Sequence, residues 1–164
     1  MMLSPLKKCL SSERKEKLLF DIVLFGSSVK GKQDPHDVDL LLVFSDSDLR
    51  ERLAIVQRVK EKLKGFHFKF DCQQILLQEL FSSAFFARSG ILLEGISLFD
   101  GKKISEKMGF HSWTLFGYEL KGLTHTQKVK FNYILAGRSG MKGILKEFDA
   151  VRLVNGAVKV PIEK

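Results

Sequence analysis

Two aspartates one residue apart, Asp37 and Asp39, open an apolar run that continues through Leu40-Leu41-Leu42-Val43-Phe44. Side chains alternate along a strand, so both carboxylates would project from one face, about 7 Å apart along the chain. Carboxylates held rigidly at that spacing can ligate hard divalent cations, which take oxygen ligands. Upstream, the apolar residues Ile22-Val23-Leu24-Phe25 end in Gly26-Ser27, and a short basic loop leads on to Asp37. A Gly-Ser turn on the neighbouring strand could hold the phosphates that such cations bridge, so the pattern is that of a phosphoryl-transfer site. The bland alternative makes Gly26 a turn residue and the two aspartates solvated strand-entry charges. Asp is disfavoured in strands, and finding it twice at the mouth of a buried one weighs against that alternative.

A second phosphate motif competes for the same residues. Gly26-Ser27-Ser28-Val29-Lys30-Gly31-Lys32 fits the first seven positions of a P-loop, but the eighth, which should carry a magnesium-binding hydroxyl, is Gln33. A P-loop lysine also opens a helix, whereas Asp34-Pro35-His36-Asp37 follows here and a strand begins at once. Proline is tolerated only in a first helical turn and pushes the residue before it toward extended geometry. The P-loop reading fails on context.

Gly-Ser at a strand end, a spacer of about ten residues and Asp-x-Asp opening the next apolar strand resemble the signature of the DNA polymerase β-like nucleotidyltransferase superfamily. The nearest pattern is that of its small branch, the minimal nucleotidyltransferases. That family carries a third carboxylate on a later strand, and Phe66-His67-Phe68-Lys69-Phe70-Asp71-Cys72 supplies it as Asp71. The resemblance covers roughly residues 10–103 and leaves 104–164 unexplained. It implies that Asp37 and Asp39 bind two magnesium ions, with manganese as a substitute, and that Asp71 completes the second site and draws the proton from the acceptor hydroxyl. It further implies that Gly26 and Ser27 hold the β- and γ-phosphates and that Lys30 neutralises the pyrophosphate, with Lys32 a weaker candidate. Where small relatives often carry Ser before the first Asp, this chain has His36.

The implied activity is transfer of a nucleoside monophosphate, AMP from ATP, to a protein or RNA hydroxyl. Small relatives resemble antitoxins that pair with a HEPN-type toxin and attach AMP to it. The alternative is a non-catalytic binding module on the same fold, toxin-neutralising or nucleic-acid-binding.

The elements that must position these residues read as α/β (α+β): a mixed sheet flanked by helices, with a small α+β appendage. A helix is expected over 11–19, capped by Ser11 or Ser12, followed by strands near 20–25 and 38–44. A helix capped by Asp46 or Ser47 is expected from 48 to 64, with Leu49, Leu53, Val56, Val59 and Leu63 at three- and four-residue spacing. Strand three is placed at 66–72, then a helix from Gln73 to Phe86, a second helix and an edge strand through Phe99. One long crossover makes the sheet mixed rather than all parallel. The nucleotidyltransferase domain is thus expected over 1–103 and a small basic domain over 104–164.

The 164 residues are 45% hydrophobic, with 14 phenylalanines, ample for a packed core. No apolar stretch reaches the roughly 20 residues that span a bilayer, and Met1 to Leu10 lacks a signal-peptide pattern. Cys9 and Cys72 cannot form a disulfide framework, and the four histidines show no metal-ligand spacing. These features fit a cytoplasmic enzyme without a membrane partner. The net charge of +8 is uneven: residues 104–164 carry 10 basic and 5 acidic side chains. A basic surface concentrates polyanions, although a merely solvated basic face explains the count equally well.

The tail suggests a helix over 125–135, a Gly137-Arg138-Ser139-Gly140 loop, and a second helix from Met141 to Phe148. A helix, a G-x-x-G loop and a helix are similar to the nucleotide-gripping element of KH domains, which would make Gly137, Arg138, Gly140 and Lys142 nucleic-acid contacts. Turn chemistry alone favours a glycine cap and turn. Trp113, Phe116, Tyr118, Phe131 and Tyr133 could stack bases, though such spacing more often marks core, and the tail reads equally as an interface for a toxin-like partner or a second copy. Asn155-Gly156 between two short strands reads as a type I′ hairpin.

Overall fold

The apolar run after Asp39 forms a strand buried on both faces. In the computed structural model, which describes residues 3–29 and 37–162, this is β2 (Asp37–Phe44), lying between β1 (Leu19–Phe25) and β3 (Lys69–Leu76). Alternation divides β2 between two cores: Val38, Leu40, Leu42 and Phe44 pack on one side of the sheet, Leu41 and Val43 on the other. Strand β1 divides in the same way, with Ile22 and Leu24 on the first side and Val23 on the second. Strands β1 and β2 run antiparallel, β2 and β3 parallel. A short edge strand β4 (Ile96–Ser97) pairs antiparallel with β1 and completes a mixed sheet of order β3-β2-β1-β4.

Helices cover both faces. On the first lie α1 (Leu3–Leu10) and α2 (Leu49–Leu63), the crossover between the parallel strands. Asp48 caps α2, accepting from the Glu51 N–H at 2.9 Å while Glu51 accepts from the Asp48 N–H at 3.2 Å. This reciprocal box contributes about 1 kcal/mol. On the second face lie α3 (Leu77–Leu80) and α4 (Arg88–Glu94), with α5 (Ile104–Lys107) packed beside them through Ile104.

Four sequence expectations shift. The first helix covers residues 3–10 rather than 11–19, because Leu6 and Leu10, one turn apart, are both fully buried; Ser11–Lys15 is only a 3-10 turn. The cap of α2 is Asp48 instead of Asp46 or Ser47, and Ile55 is buried where Leu49 and Leu53 stay half exposed. Strand β3 begins at Lys69, so Asp71 sits near its start, and Gln73 to Leu76 are strand rather than helix. Phe66 and Phe68 precede β3 yet still pack against the first core.

The chain divides into two compact units, Met1–Phe110 and His111–Lys164. The first therefore takes in α5. In the second, β5 (Trp113–Gly117), β8 (Val151–Val154) and β9 (Ala157–Pro161) form an antiparallel sheet of order β5-β9-β8. Helix α6 (His125–Ala136) starts at a Thr124–Gln127 capping box. The expected helix from Met141 is not there. Gly137 (φ 88°) and Gly140 (φ 85°) turn the chain back so that β6 (Gly137–Arg138) pairs with β7 (Met141–Lys142), and helix α7 covers only Ile144–Glu147. The helix–loop–helix likeness to KH domains is thereby overturned: the G-x-x-G residues form a hairpin. At Asn155-Gly156 only the glycine has positive φ (105°), so the turn is not type I′, which needs positive φ at both residues. Among the described residues no helix is long and apolar enough to cross a membrane.

One buried charge ties the second face together. Asp21, fully buried on β1, accepts from Ser97 Oγ at 2.9 Å, the Ile22 N–H at 2.8 Å and Lys107 Nζ at 2.7 Å. Burial pushes its carboxyl up, and the Lys107 and Ser97 donors offset part of that rise. Lys107→Met would strand this carboxylate without its cation. We predict a loss of about 3 kcal/mol or more in urea unfolding with an unchanged m-value, whereas Arg14→Ala, which removes only an exposed partner of Asp100 on the far side of Lys107, should move the midpoint little.

Candidate active site

Strand parity places the three sequence-identified carboxylates together. Asp37 and Asp39 alternate in step with Leu41 and Val43, hence on the second face of the sheet. Asp71 alternates in step with Ile75 of the same core, and it is the direct register partner of Asp39 across the parallel pair. Asp39 in turn faces Phe25, the last residue of β1. The carboxylates therefore crowd one end of the central strands, where the apolar core stops.

Gly26 closes the fourth side. Its φ of 73° lies in the left-handed region, and a Cβ there would stand 2.2 Å from Asp39 Oδ2. No side chain fits, and an L-residue would also be strained. The turn it opens, Gly26–Ser28, carries the half-buried Ser27 and brings Ser28 Oγ to donate to the Asp37 carbonyl at 3.3 Å. Lys30, expected at the leaving group, lies outside the described residues together with Lys32 and His36.

Sequence reasoning missed two neighbours. Lys69 Nζ lies 3.6 Å from Asp37 Oδ1, and Gln73 Nε2 donates to Asp71 Oδ2 at 3.0 Å. Both sit two residues from Asp71 on β3, so the parity that exposed the aspartates could have found them. Cys72, on the opposite face, packs against the first core, and burial raises its thiol pKa.

The electrostatics concentrate on Asp39. Burial raises its carboxyl above the usual range, and the negative charges of Asp71 and then Asp37 raise it further. Three carboxylates are oxygen donors suited to a hard cation, which would relieve that repulsion. Among the described residues no three His, Cys, Asp or Glu side chains are already in metal-holding geometry; Asp37 and Asp71 are each engaged by a neighbour of their own.

The family model of the nucleotidyltransferase domain matches residues 3–88, more than half of the chain. The chain belongs to the nucleotidyltransferase domain family. All three carboxylates and the Gly26 turn fall inside the matched span of this nucleotidyltransferase domain. Among solved structures, a toxin–antitoxin complex with AMP-PNP is similar at 21% identity, covering 66% of this chain and 80% of that one, with a TM-score of 0.42. A mutant of the toxin–antitoxin MntA–HpeT is similar at 20% identity, covering 66% and 80%, with a TM-score of 0.42. A tri-AMPylated Shewanella oneidensis HEPN toxin in complex with MNT antitoxin is similar at 18% identity, covering 65% and 79%, with a TM-score of 0.41. No curated protein sequence matches the chain.

A raised carboxyl has a definite pH signature. Asp39 ionises less readily folded than unfolded, so its ionisation costs stability above the folded pKa and costs nothing below the unfolded one. Asp39→Asn should therefore stabilise the chain at pH 7 by up to about 1 kcal/mol. Urea titrations should show that gain fading as pH falls toward the ordinary Asp value of about 3.9.

Proposed function

We propose that this nucleotidyltransferase domain transfers AMP from ATP to a hydroxyl of a macromolecule, with a HEPN-type protein partner as the acceptor and an RNA hydroxyl as the second choice. The observation that supports it is the pairing of Asp39 with Asp71 under a turn that admits only glycine at position 26. The choice of AMP and of a HEPN-type acceptor rests on the Gly-Ser…Asp-x-Asp…Asp pattern and its resemblance to minimal nucleotidyltransferases.

The chemistry balances simply. The acceptor oxygen attacks the α-phosphorus, the bond to the bridging oxygen breaks, and pyrophosphate leaves while the hydroxyl proton passes to a base. Asp71, exposed and next to Asp39, is the base in this reading. Asp37 and Asp39, with Asp71, would hold magnesium, which supplies charge neutralisation on the phosphate oxygens when bound. Lys69 and Gln73 each meet one oxygen of their carboxylate, so neither contact excludes a cation on the other oxygen. Ser27 and the backbone after Gly26 hold the β- and γ-phosphates, and Lys30 neutralises their charge as they leave as pyrophosphate.

Calorimetric titration of ATP with magnesium into wild type and the Asp37→Ala/Asp39→Ala variant tests the site. Magnesium-dependent binding should be present in the first and absent in the second. Labelled-AMP incorporation into a co-expressed HEPN-type partner should fall about a hundredfold or more in the variant, a loss of the size seen when transition-state charge stabilisation is removed. Gly26→Ala should abolish binding as well, by displacing Asp39 Oδ2. Full partner binding without nucleotide binding in wild type would replace the enzyme reading with the non-catalytic module.

A further inference from the structure

One stripe of α6 lines two clefts of the C-terminal unit. Lys128, Asn132 and Ala136 recur every four residues, following one side of the helix over about 12 Å. At the N-terminal end, Lys128 and Asn132 line a cleft of about 380 Å³ with Tyr118, Glu119 and Arg152. Arg152 Nη1 donates to Asn132 Oδ1 at 3.3 Å, while Arg152 Nε and Tyr118 Oη are buried with no hydrogen-bond partner among the described residues. At the other end, Ala136 lines an open, more polar cleft of about 500 Å³ with Arg138, Lys142 and Lys146.

The hairpin carrying two of these charges is fixed in place. A Cβ on Gly143 would stand 2.1 Å from Gly137 N and 2.4 Å from Ala136 C, so the returning chain is pressed against the end of α6. Beside it, the Arg138 guanidinium sits 4.9 Å from the ring centroid of Tyr133, which is 43% exposed. Trp113 and Phe116, whose spacing suggested core, are likewise exposed. Residues 111–164 carry 9 Lys and Arg against 4 Asp and Glu, so the unit attracts anions as a whole.

We propose that this stripe binds single-stranded nucleic acid. Lys142 and Lys146 take backbone phosphates, Lys128 and Arg152 take a phosphate further along, and a base stacks against the Arg138–Tyr133 pair. Cations lining a track and an exposed aromatic face are what sequence-tolerant single-strand binding uses. An acidic protein is the competing occupant, and displacement by polyglutamate distinguishes it. The inference stands apart from the nucleotidyl-transfer reading and survives its failure.

Fluorescence anisotropy of labelled oligouridine and oligothymidine with the full chain tests it. Binding of either should weaken steeply between about 50 and 200 mM salt. Arg138→Ala/Lys142→Ala/Lys146→Ala should weaken it by about tenfold or more and flatten the salt dependence. Tyr133→Ala should weaken it by about tenfold with the salt dependence unchanged, a split that a purely ionic attraction does not give. Should the triple variant melt early, Lys146→Ala alone, on an exposed side chain, reports the same flattening. No binding at about 50 mM salt by a cooperatively melting chain would overturn the proposal. So would binding indifferent to all these variants, or polyglutamate displacing the probe as well as unlabelled oligonucleotide does.

Discussion

The register of β2 is the constraint on which the site depends. Because Val38, Leu40, Leu42 and Phe44 fill one core and Leu41 and Val43 the other, β2 cannot slip by one residue without moving each set into the wrong layer. The same lock fixes which way Asp37 and Asp39 face and which residues stand beside them: Phe25 on one flank, Asp71 on the other. Hydrophobic burial thus positions carboxylates that could never assemble on their own account.

What it positions is electrostatically unfavourable. Asp39 is partly withdrawn from water and flanked by two like charges, and both influences oppose its ionisation. The glycine at the end of β1 aggravates the crowding by letting the backbone close on Asp39 Oδ2. Lys69 and Gln73 engage only the outer two carboxylates. Such a cluster is hard to explain as a stabilising element, since stability would be better served by a neutral residue at Asp39. By contrast, the buried Asp21 is met by three donors and reads as a structural tie.

Much of the first unit was legible because two-residue alternation and the Gly-Ser…Asp-x-Asp spacing speak directly of strand geometry. The failures have physical causes. Ser11-Ser12-Glu13 looks like a helix start, but the local capping signal loses to the complete burial of Leu6 and Leu10 one turn earlier. The alternating Phe66, Phe68 and Phe70 look like strand, yet the first two reach the core from a bend before β3, with Phe66 packed edge-on to Phe70 at 5.9 Å. In the tail, G-x-x-G carries no information about whether the chain resumes a helix or turns back. The close approach of Gly143 to the end of α6 decides that, and it is a tertiary contact. Lys69 and Gln73 share the strand parity of Asp71, but Lys69 reaches Asp37 only through the β2–β3 register.

The parallel pairing of β2 with β3 also bears on how the chain folds. β1 and β2 are joined by a short connection, so their antiparallel pairing closes a small loop. Asp71 reaches Asp39 only after α2 has been threaded between the strands, and the entropy of that closure is spent before the contact rewards it. The carboxylate set is thus completed by the more distant of its two strand pairings. Asp37 and Asp39 belong to the short-range β1–β2 pairing, whereas the third acid joins them only through the long-range one.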